Sequence, residues 1–534
     1  MAMYLEFDLS QSIASDGSWT WGQSREYLQV KANACRQEVH ARRDPLGVIP
    51  AYYTWDGTRL RIATSLAELL AAHAGALTMN RVYLESLFHE YYALVEQSPF
   101  REVHRLPPGH ELVARAGNLS VRRWFEPSIN LVEFSYRELR HALYQACEHR
   151  ASGASRVGVL LSSGLDSTAL CYLLQRLAIA RKFALHSYTL HFEDGVASAG
   201  SALRSALARA DWWIRGLPFR PDSCLYQVDR EGGRSGSNSS AASYEMYSPN
   251  LRLFAPLLEA AADEGVRVVL SGLGGDDLFS PSEQIYSAFF QSGDWLSLWR
   301  HRRRFSARAL LASAAPLSVY RRLHLHSLAR STRLQLLPSE AEILRARMRG
   351  DYESWRQWPL WPHQRNLFAK AFYSGMFTFA MEQEQELAQS FGCRMSYPLL
   401  DEKLVQLALA APLSEFQTEP HNKPVLRAAL LGIVPEEIRH RRSTQDYSLV
   451  ADKIMAVQEN EWRTRLNWLV ENEIIGPVDF AALNADDVLK LNYVFTIAQI
   501  TRGGMWRTPR TQERVPTGNR SSRNMAPFVT SPRP

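Results

Sequence analysis

The chain has 534 residues, enough for two or more domains with sizeable cores. A formal charge of +6 is modest: it suits an acidic small ligand but does not argue for nucleic acid, and no apolar stretch approaches the length of a membrane span. The five cysteines (Cys35, Cys147, Cys171, Cys224, Cys393) stand singly without Cys-x-x-Cys spacing, which argues against disulfides and zinc sites. The first residues, Met1 to Asp8, lack the basic-then-apolar pattern of a signal peptide, so a cytoplasmic location is expected, with no membrane or nucleic-acid partner.

Up to about Pro127, short β-like runs alternate with turns. They are Glu26–Val30, Ala51–Trp55, Leu60–Ala63 after the turn Asp56-Gly57, His110–Ala114, and Leu119–Trp124 after the turn at Gly117-Asn118. This is a hairpin-rich α+β pattern. From about Ser135 long amphipathic helices alternate with buried strands such as Val157–Leu161 and Val266–Leu270, as in an open α/β sheet. Beyond about Arg502 an Arg-, Pro-, Thr- and Ser-rich tail with one acidic residue, Glu513, is expected not to fold alone. The expected division is 1–127, 128–510 and a basic tail 511–534, with no internal repeat.

Leu160-Leu161-Ser162-Ser163-Gly164-Leu165-Asp166-Ser167-Thr168 carries the most chemistry. It joins an apolar strand to a helix (Ala169–Leu177), and a small glycine-containing turn there lets backbone N–H groups approach a phosphate. Ser162, Ser163 and Ser167 add hydroxyl donors, and Asp166 is suited to a Mg²⁺ that bridges phosphate oxygens. The ordinary alternative is a plain strand-to-helix turn. About 105 residues later, a second strand runs into Ser271-Gly272-Leu273-Gly274-Gly275-Asp276-Asp277-Leu278-Phe279, a glycine-rich turn with two carboxylates.

The first loop resembles the Ser-Gly-Gly-x-Asp-Ser loop of the ATP pyrophosphatase superfamily, with Ser163 in place of one glycine. The second resembles the Ser-Gly-x-Gly-x-Asp-Glu-x-Phe segment of asparagine synthetases. Cys393–Asp401 and Lys423-Pro424-Val425-Leu426-Arg427 resemble two later segments of that family, Arg-x-Pro-Phe-Leu-Asp and Lys-x-x-Leu-Arg. Arg43-Asp44-Pro45-Leu46-Gly47 through Tyr53, Ala63-Thr64-Ser65 and Leu106–His110 resemble its class II glutamine amidotransferase domain. The resemblance implies a degenerate N-terminal-nucleophile-like domain followed by a Rossmann-like ATP pyrophosphatase domain. It further implies ATP and Mg²⁺ as cofactors, and ATP splitting to AMP and pyrophosphate to activate a carbonyl oxygen. It places Leu161, Ser162, Ser163, Gly164, Asp166, Ser167, Ser271 and Gly272 on the nucleotide, with Leu190, at the end of the next strand, bordering the adenine. Asp166 and Asp276 would hold the metal, with Asp277 a weaker candidate.

The departures narrow the reaction. Relatives carry a cysteine nucleophile at position two, where this chain has Ala2, so the amidotransferase-like domain is expected not to hydrolyse glutamine. Asparagine synthetases carry Glu, and β-lactam synthetases Tyr, at the position of Leu273, which can neither take a proton nor hydrogen-bond an intermediate. Those relatives also place a lysine where this chain reads Arg439-His440-Arg441-Arg442-Ser443, so Arg441 or Arg442 is the candidate catalytic cation, against the alternative of a solvated basic turn. The pattern most resembles lasso peptide cyclases, which adenylate an Asp or Glu side chain of a precursor peptide and let its N-terminal amine close a macrolactam. That reading implies a precursor core peptide as substrate and a leader-removing protease as partner. Small-molecule amide ligases and a catalytically silent nucleotide-binding scaffold are the alternatives. Glu382 and Glu386, four apart on a helix, are candidates for a base or for gripping the peptide amine, against a solvated helix face. His301–Arg304 reads as a helix end, and Trp355, Trp358, Trp361 and Tyr373 as core or channel lining.

Overall fold

The computed structural model describes residues 2–191, 213–218, 249–300, 334–417, 422–441 and 459–502, apart from isolated positions within them that include Ser163. Arg442, His301–Arg304 and the tail 511–534 lie outside the described residues. The N-terminal part is two antiparallel sheets. Its strands are β1 (Tyr4–Asp8), β2 (Gly17–Gln23), β3 (Glu26–Asn33), β4 (Glu38–Arg43), β5 (Tyr52–Trp55), β6 (Arg59–Ala63), β7 (His104–Arg105), β8 (His110–Arg115) and β9 (Asn118–Arg123). One sheet runs β1-β6-β5-β7 and the other β2-β3-β4-β8-β9. Alternation along β3 buries Leu28, Val30 and Ala32, which meet Leu5, Phe7, Leu60 and Ile62 of the facing sheet. The expected turn at Asp56-Gly57 forms, with Gly57 at φ +99° and the Asp56 carboxylate accepting from the Thr58 and Arg59 N–H groups.

The following part is a wholly parallel sheet of β10 (Arg156–Leu160), β11 (Ala184–His191), β12 (Trp213–Pro218), β13 (Val268–Leu270) and β14 (Arg394–Ser396). Its order is β12-β11-β10-β13-β14. Apart from the exposed Arg156 that opens β10, the central strands β10 and β13 are buried, as a sheet covered on both faces requires. Strand order reverses between β10 and β13, so the loops leaving their carboxyl ends open side by side, where open α/β sheets bind ligands. These are the two motif loops, one leading to the Leu165–Arg181 helix and the other to the short Gly275–Phe279 helix.

The two parts are joined by buried charges. Glu26, 2% exposed, accepts from Arg150 Nε (2.9 Å), Arg394 Nη1 (3.1 Å) and Ser396 Oγ (2.6 Å). The fully buried Arg43 donates to the carbonyls of Gly47, Ile49 and Leu106 and to Glu382 Oε1 at 3.0 Å. The C-terminal helices Glu459–Glu471 and Ala485–Thr501 return to the N-terminal part: Leu466, Leu491 and Ile497 share a core with Tyr52, Leu84 and Phe100.

Candidate active site

At the end of β10 the Leu161 N–H donates to the Tyr188 carbonyl of β11, fixing where the loop leaves the sheet. The Ser162 and Ser167 hydroxyls lie 2.9 Å apart, and the Gly164 N–H donates to Ser162 Oγ. Gly164 caps the Leu165–Arg181 helix without a side-chain bond, so no capping side chain competes for the first-turn N–H groups. β11 runs past the last paired residue of β10, which carries Leu190 beside this loop, half-buried against the core.

The second loop is held against the first by missing side chains. A Cβ on Gly275 would stand 2.2 Å from Asp166 Cγ, and one on Gly272 2.9 Å from Asp166 Cβ. Gly274, at φ +92°, makes the turn into the short helix that carries Asp276 and Asp277. Ser271 begins the loop by donating its N–H to the Ser396 carbonyl of β14. The half-buried Leu273 packs against the main core.

Between the loops lies Lys423, 2% exposed. Its ammonium is 2.5 Å from Asp166 Oδ2 and 3.0 Å from Asp276 Oδ1. Its backbone is left-handed (φ +55°), a conformation non-glycine residues avoid, and Pro424 follows as the first residue of a helix. Arg427 braces this turn, donating to Asn422 O (2.5 Å), Asn422 Oδ1 (2.7 Å) and the Arg439 carbonyl. Burial pushes the Asp166 carboxyl up to about 6, with the Lys423 ammonium pulling the other way.

The donor set fits a nucleotide-borne Mg²⁺. Asp166 Oδ1 is buried without a hydrogen-bond partner, and the Asp276 side chain is 72% exposed. Among the described residues no third His, Cys, Asp or Glu joins them. A magnesium ion needs only one or two carboxylates when phosphate oxygens and water complete its shell.

The other expected site residues are placed differently. Asp277 turns away to Lys370, 2.7 Å from its Nζ. Half-buried Arg441 acts electrostatically on Arg427, behind Lys423, and its guanidinium is lowered by burial. The expectation for Glu382 and Glu386 is corrected on both counts: neither lies at this site, and neither lies on a solvated face. Their helix (Met376–Ser390) is wedged between the two parts of the chain. There Glu382 is 1% exposed, paired with Arg43 and Arg105, while Glu386 accepts from Ser65 Oγ at 2.8 Å and from the Leu66 N–H. Trp358 packs against Trp355, Phe368 and Tyr373, as core-edge stacking. Lys423 is the residue the sequence reading did not place: Lys-x-x-Leu-Arg was visible, but not that its lysine reaches across to both carboxylates.

The Asparagine synthase family profile matches residues 138–225 and 242–493, more than half of the chain. The chain belongs to the asparagine synthase family. Residues 32–125 match a glutamine amidotransferase domain. Amidase chry2 of Gibberella zeae is 23% identical over 318 residues, 55% of this chain and 46% of that protein. Amidase chyE of Penicillium rubens is 24% identical over 278 residues, 48% of this chain and 39% of that protein. Asparagine synthetase [glutamine-hydrolyzing] 3 of Bacillus subtilis is 20% identical over 438 residues, 77% of this chain and 65% of that protein. The matched region thus spans less than two thirds of these relatives. Among the described residues no helix is long and apolar enough to cross a membrane.

Proposed function

We propose that this protein is an AMP-forming macrolactam synthetase of lasso peptide biosynthesis. The observation that carries the adenylating half of the reading is the Asp166–Lys423–Asp276 cluster at the strand-order switch. A silent scaffold has no need to bury a lysine against two carboxylates. The amine half rests on what the neighbouring parts lack. The only cysteine within residues 1–127, Cys35, is exposed in the turn between β3 and β4, and the buried Arg43 is spent on backbone carbonyls and Glu382. Leu273 offers no proton acceptor to prepare ammonia or a small amine, which counts against the small-molecule ligases. A peptide's own α-amine, with a pKa near 8, needs little help near neutral pH.

In this reading the triphosphate lies across the Ser162–Ser167 loop. Backbone N–H groups and the Ser162 and Ser167 hydroxyls hold its pyrophosphate end, beneath the Lys423 ammonium. Asp166 and Asp276 would hold a Mg²⁺, which when bound offsets phosphate charge. A side-chain carboxylate of the precursor peptide attacks the α-phosphorus, the bond to the β-phosphate oxygen breaks, and pyrophosphate leaves. The peptide amine attacks the acyl carbon, AMP leaves, and the amine's proton goes to solvent. Holding the amine beside the acyl group supplies much of the rate through proximity. A protease that removes the leader and frees that amine is the partner this chemistry requires.

The test is mass spectrometry of peptides from cells co-expressing this chain with its neighbouring reading frames. A leader-free peptide lighter by one water, absent with Asp166→Ala, is the expected result. Precursor and protease present with no dehydrated peptide would overturn the cyclase reading.

A further inference from the structure

The Lys423 ammonium occupies the place where a cation bridging Asp166 and Asp276 would sit, and this has a consequence for the order of binding. One of its N–H donors goes to Asp166 Oδ2 at 2.5 Å, and the ammonium is ion-paired with Asp276 Oδ1 at 3.0 Å. The lysine is 2% exposed, so its charge is poorly screened by water. A divalent ion entering the same space would face this ammonium across shared oxygens. It would also leave the buried lysine without a counter-charge. A nucleotide changes both terms, because its phosphates bring an anion to the ammonium and further oxygens to the metal. The backbone at Lys423 is pinned by its left-handed turn and by Arg427, while the ammonium stands at the end of a flexible four-carbon stem. Asp276, with its side chain 72% exposed, forms the solvent-facing side of the cluster.

We propose that Lys423 is an internal counter-ion that fills the cation position between Asp166 and Asp276 until nucleotide phosphates draw the ammonium away. Free divalent metal is thereby kept out of the nucleotide-free enzyme, and metal enters with the nucleotide. The inference rests on the nucleotide reading above and adds to it a role for Lys423 in binding order.

The probe is Mn²⁺, measured as protein-retained metal by equilibrium dialysis of the full chain, with and without the α,β-methylene analogue of ATP on both sides of the membrane. The wild-type protein is expected to bind Mn²⁺ at least about 100-fold more tightly with the analogue than without it. Lys423→Met and Lys423→Gln, checked for folding by circular dichroism, are expected to bind Mn²⁺ without nucleotide, and Asp166→Asn to lose it in both conditions. Wild-type protein that binds Mn²⁺ equally well without the analogue overturns the counter-ion role while leaving the nucleotide site intact. Protein that binds neither the analogue nor Mn²⁺ in its presence overturns the nucleotide reading and this inference with it. The wild-type comparison needs no variant to fold.

Discussion

Removing the carboxylate of Glu382 tests whether it is a structural ion or a reacting group. Glu382 is 1% exposed, 3.0 Å from Arg43 Nη2 and 2.9 Å from Arg105 Nε. The second contact is ionic more than a hydrogen bond, because the N–H is not aimed along it and neither atom gains a bonded partner. Without Glu382, Arg43 keeps three backbone acceptors and Arg105 keeps Gln97 O and Tyr83 Oη, but both charges remain buried. Breaking a buried pair in this way costs about 3–5 kcal/mol. At 2–4 °C per kcal/mol for a domain of a few hundred residues, Glu382→Ala should lower the first thermal transition by roughly 6–20 °C. ATP–pyrophosphate exchange, measured well below that transition, should stay within about threefold of wild type, since stability and activity act here through separate sites. Unchanged melting with abolished exchange would refute the argument and return Glu382 to the catalytic residues.

Gly275→Ala should be doubly harmful. Alanine at the start of a helix ordinarily gains about 0.5–1 kcal/mol over glycine, but here its Cβ would fall 2.2 Å from Asp166 Cγ. The expected outcome is about 1–3 kcal/mol of destabilisation in urea denaturation and an exchange rate lowered at least about 100-fold; a more stable, active variant would refute the packing of the two loops. Glu384 supplies a pH test. Burial pushes its carboxyl up to about 8, and its Oε2 lacks a hydrogen-bond partner. The folded state therefore holds this proton more tightly than the unfolded chain, so stability is lost as pH rises from about 4.5 towards 8. Three units at about 1.36 kcal/mol give a loss on the order of 4 kcal/mol between pH 5 and pH 8. Glu384→Gln should flatten melting temperature against pH over that window and be the more stable protein at pH 8; parallel profiles would refute the assignment.

The two loops were legible because their signals are local: an apolar strand, a run of small residues and a helix start are contiguous in sequence, and glycine marks where backbones approach closely. The parallel sheet followed from alternating buried strands and amphipathic helices, whereas β1, β2 and β4 of the antiparallel sheets were not read, each presenting only two apolar residues to one face. Glu382 and Glu386 misled because carboxylates on a helix ordinarily mark the wet face. On the Met376–Ser390 helix that face is covered by Arg43, Arg105 and Ser65, whose proximity arises only when residues more than 270 positions apart are folded together. Lys423 failed to stand out for the same reason: it lies 257 positions from Asp166, and a lysine before a helix carries no mark of what it reaches.

A short chain of bonds runs from the amidotransferase-like part to the loop that presents Asp276, and Glu26 is its first link. Its carboxylate accepts from Ser396 Oγ (2.6 Å) and, at 3.3 Å, from the Tyr397 N–H, at the carboxyl end of β14. The Ser396 carbonyl accepts the Ser271 N–H at 2.9 Å, and Ser271 opens the loop that presents Asp276. A part retained only as a cover would need no ion at this point; one retained to hold the loop in register would need an ion here more than elsewhere. Glu26→Gln keeps the shape and one acceptor but leaves Arg150 and Arg394 short of a counter-charge, Arg150 still having Asp401 at 2.9 Å. If the part holds the loop, exchange should fall about tenfold at temperatures where the variant is fully folded, and the metal concentration for half-maximal rate should rise. If melting falls but exchange and metal dependence stay at wild-type values, the link from Glu26 to Asp276 carries no function, and the amidotransferase-like part acts on stability alone.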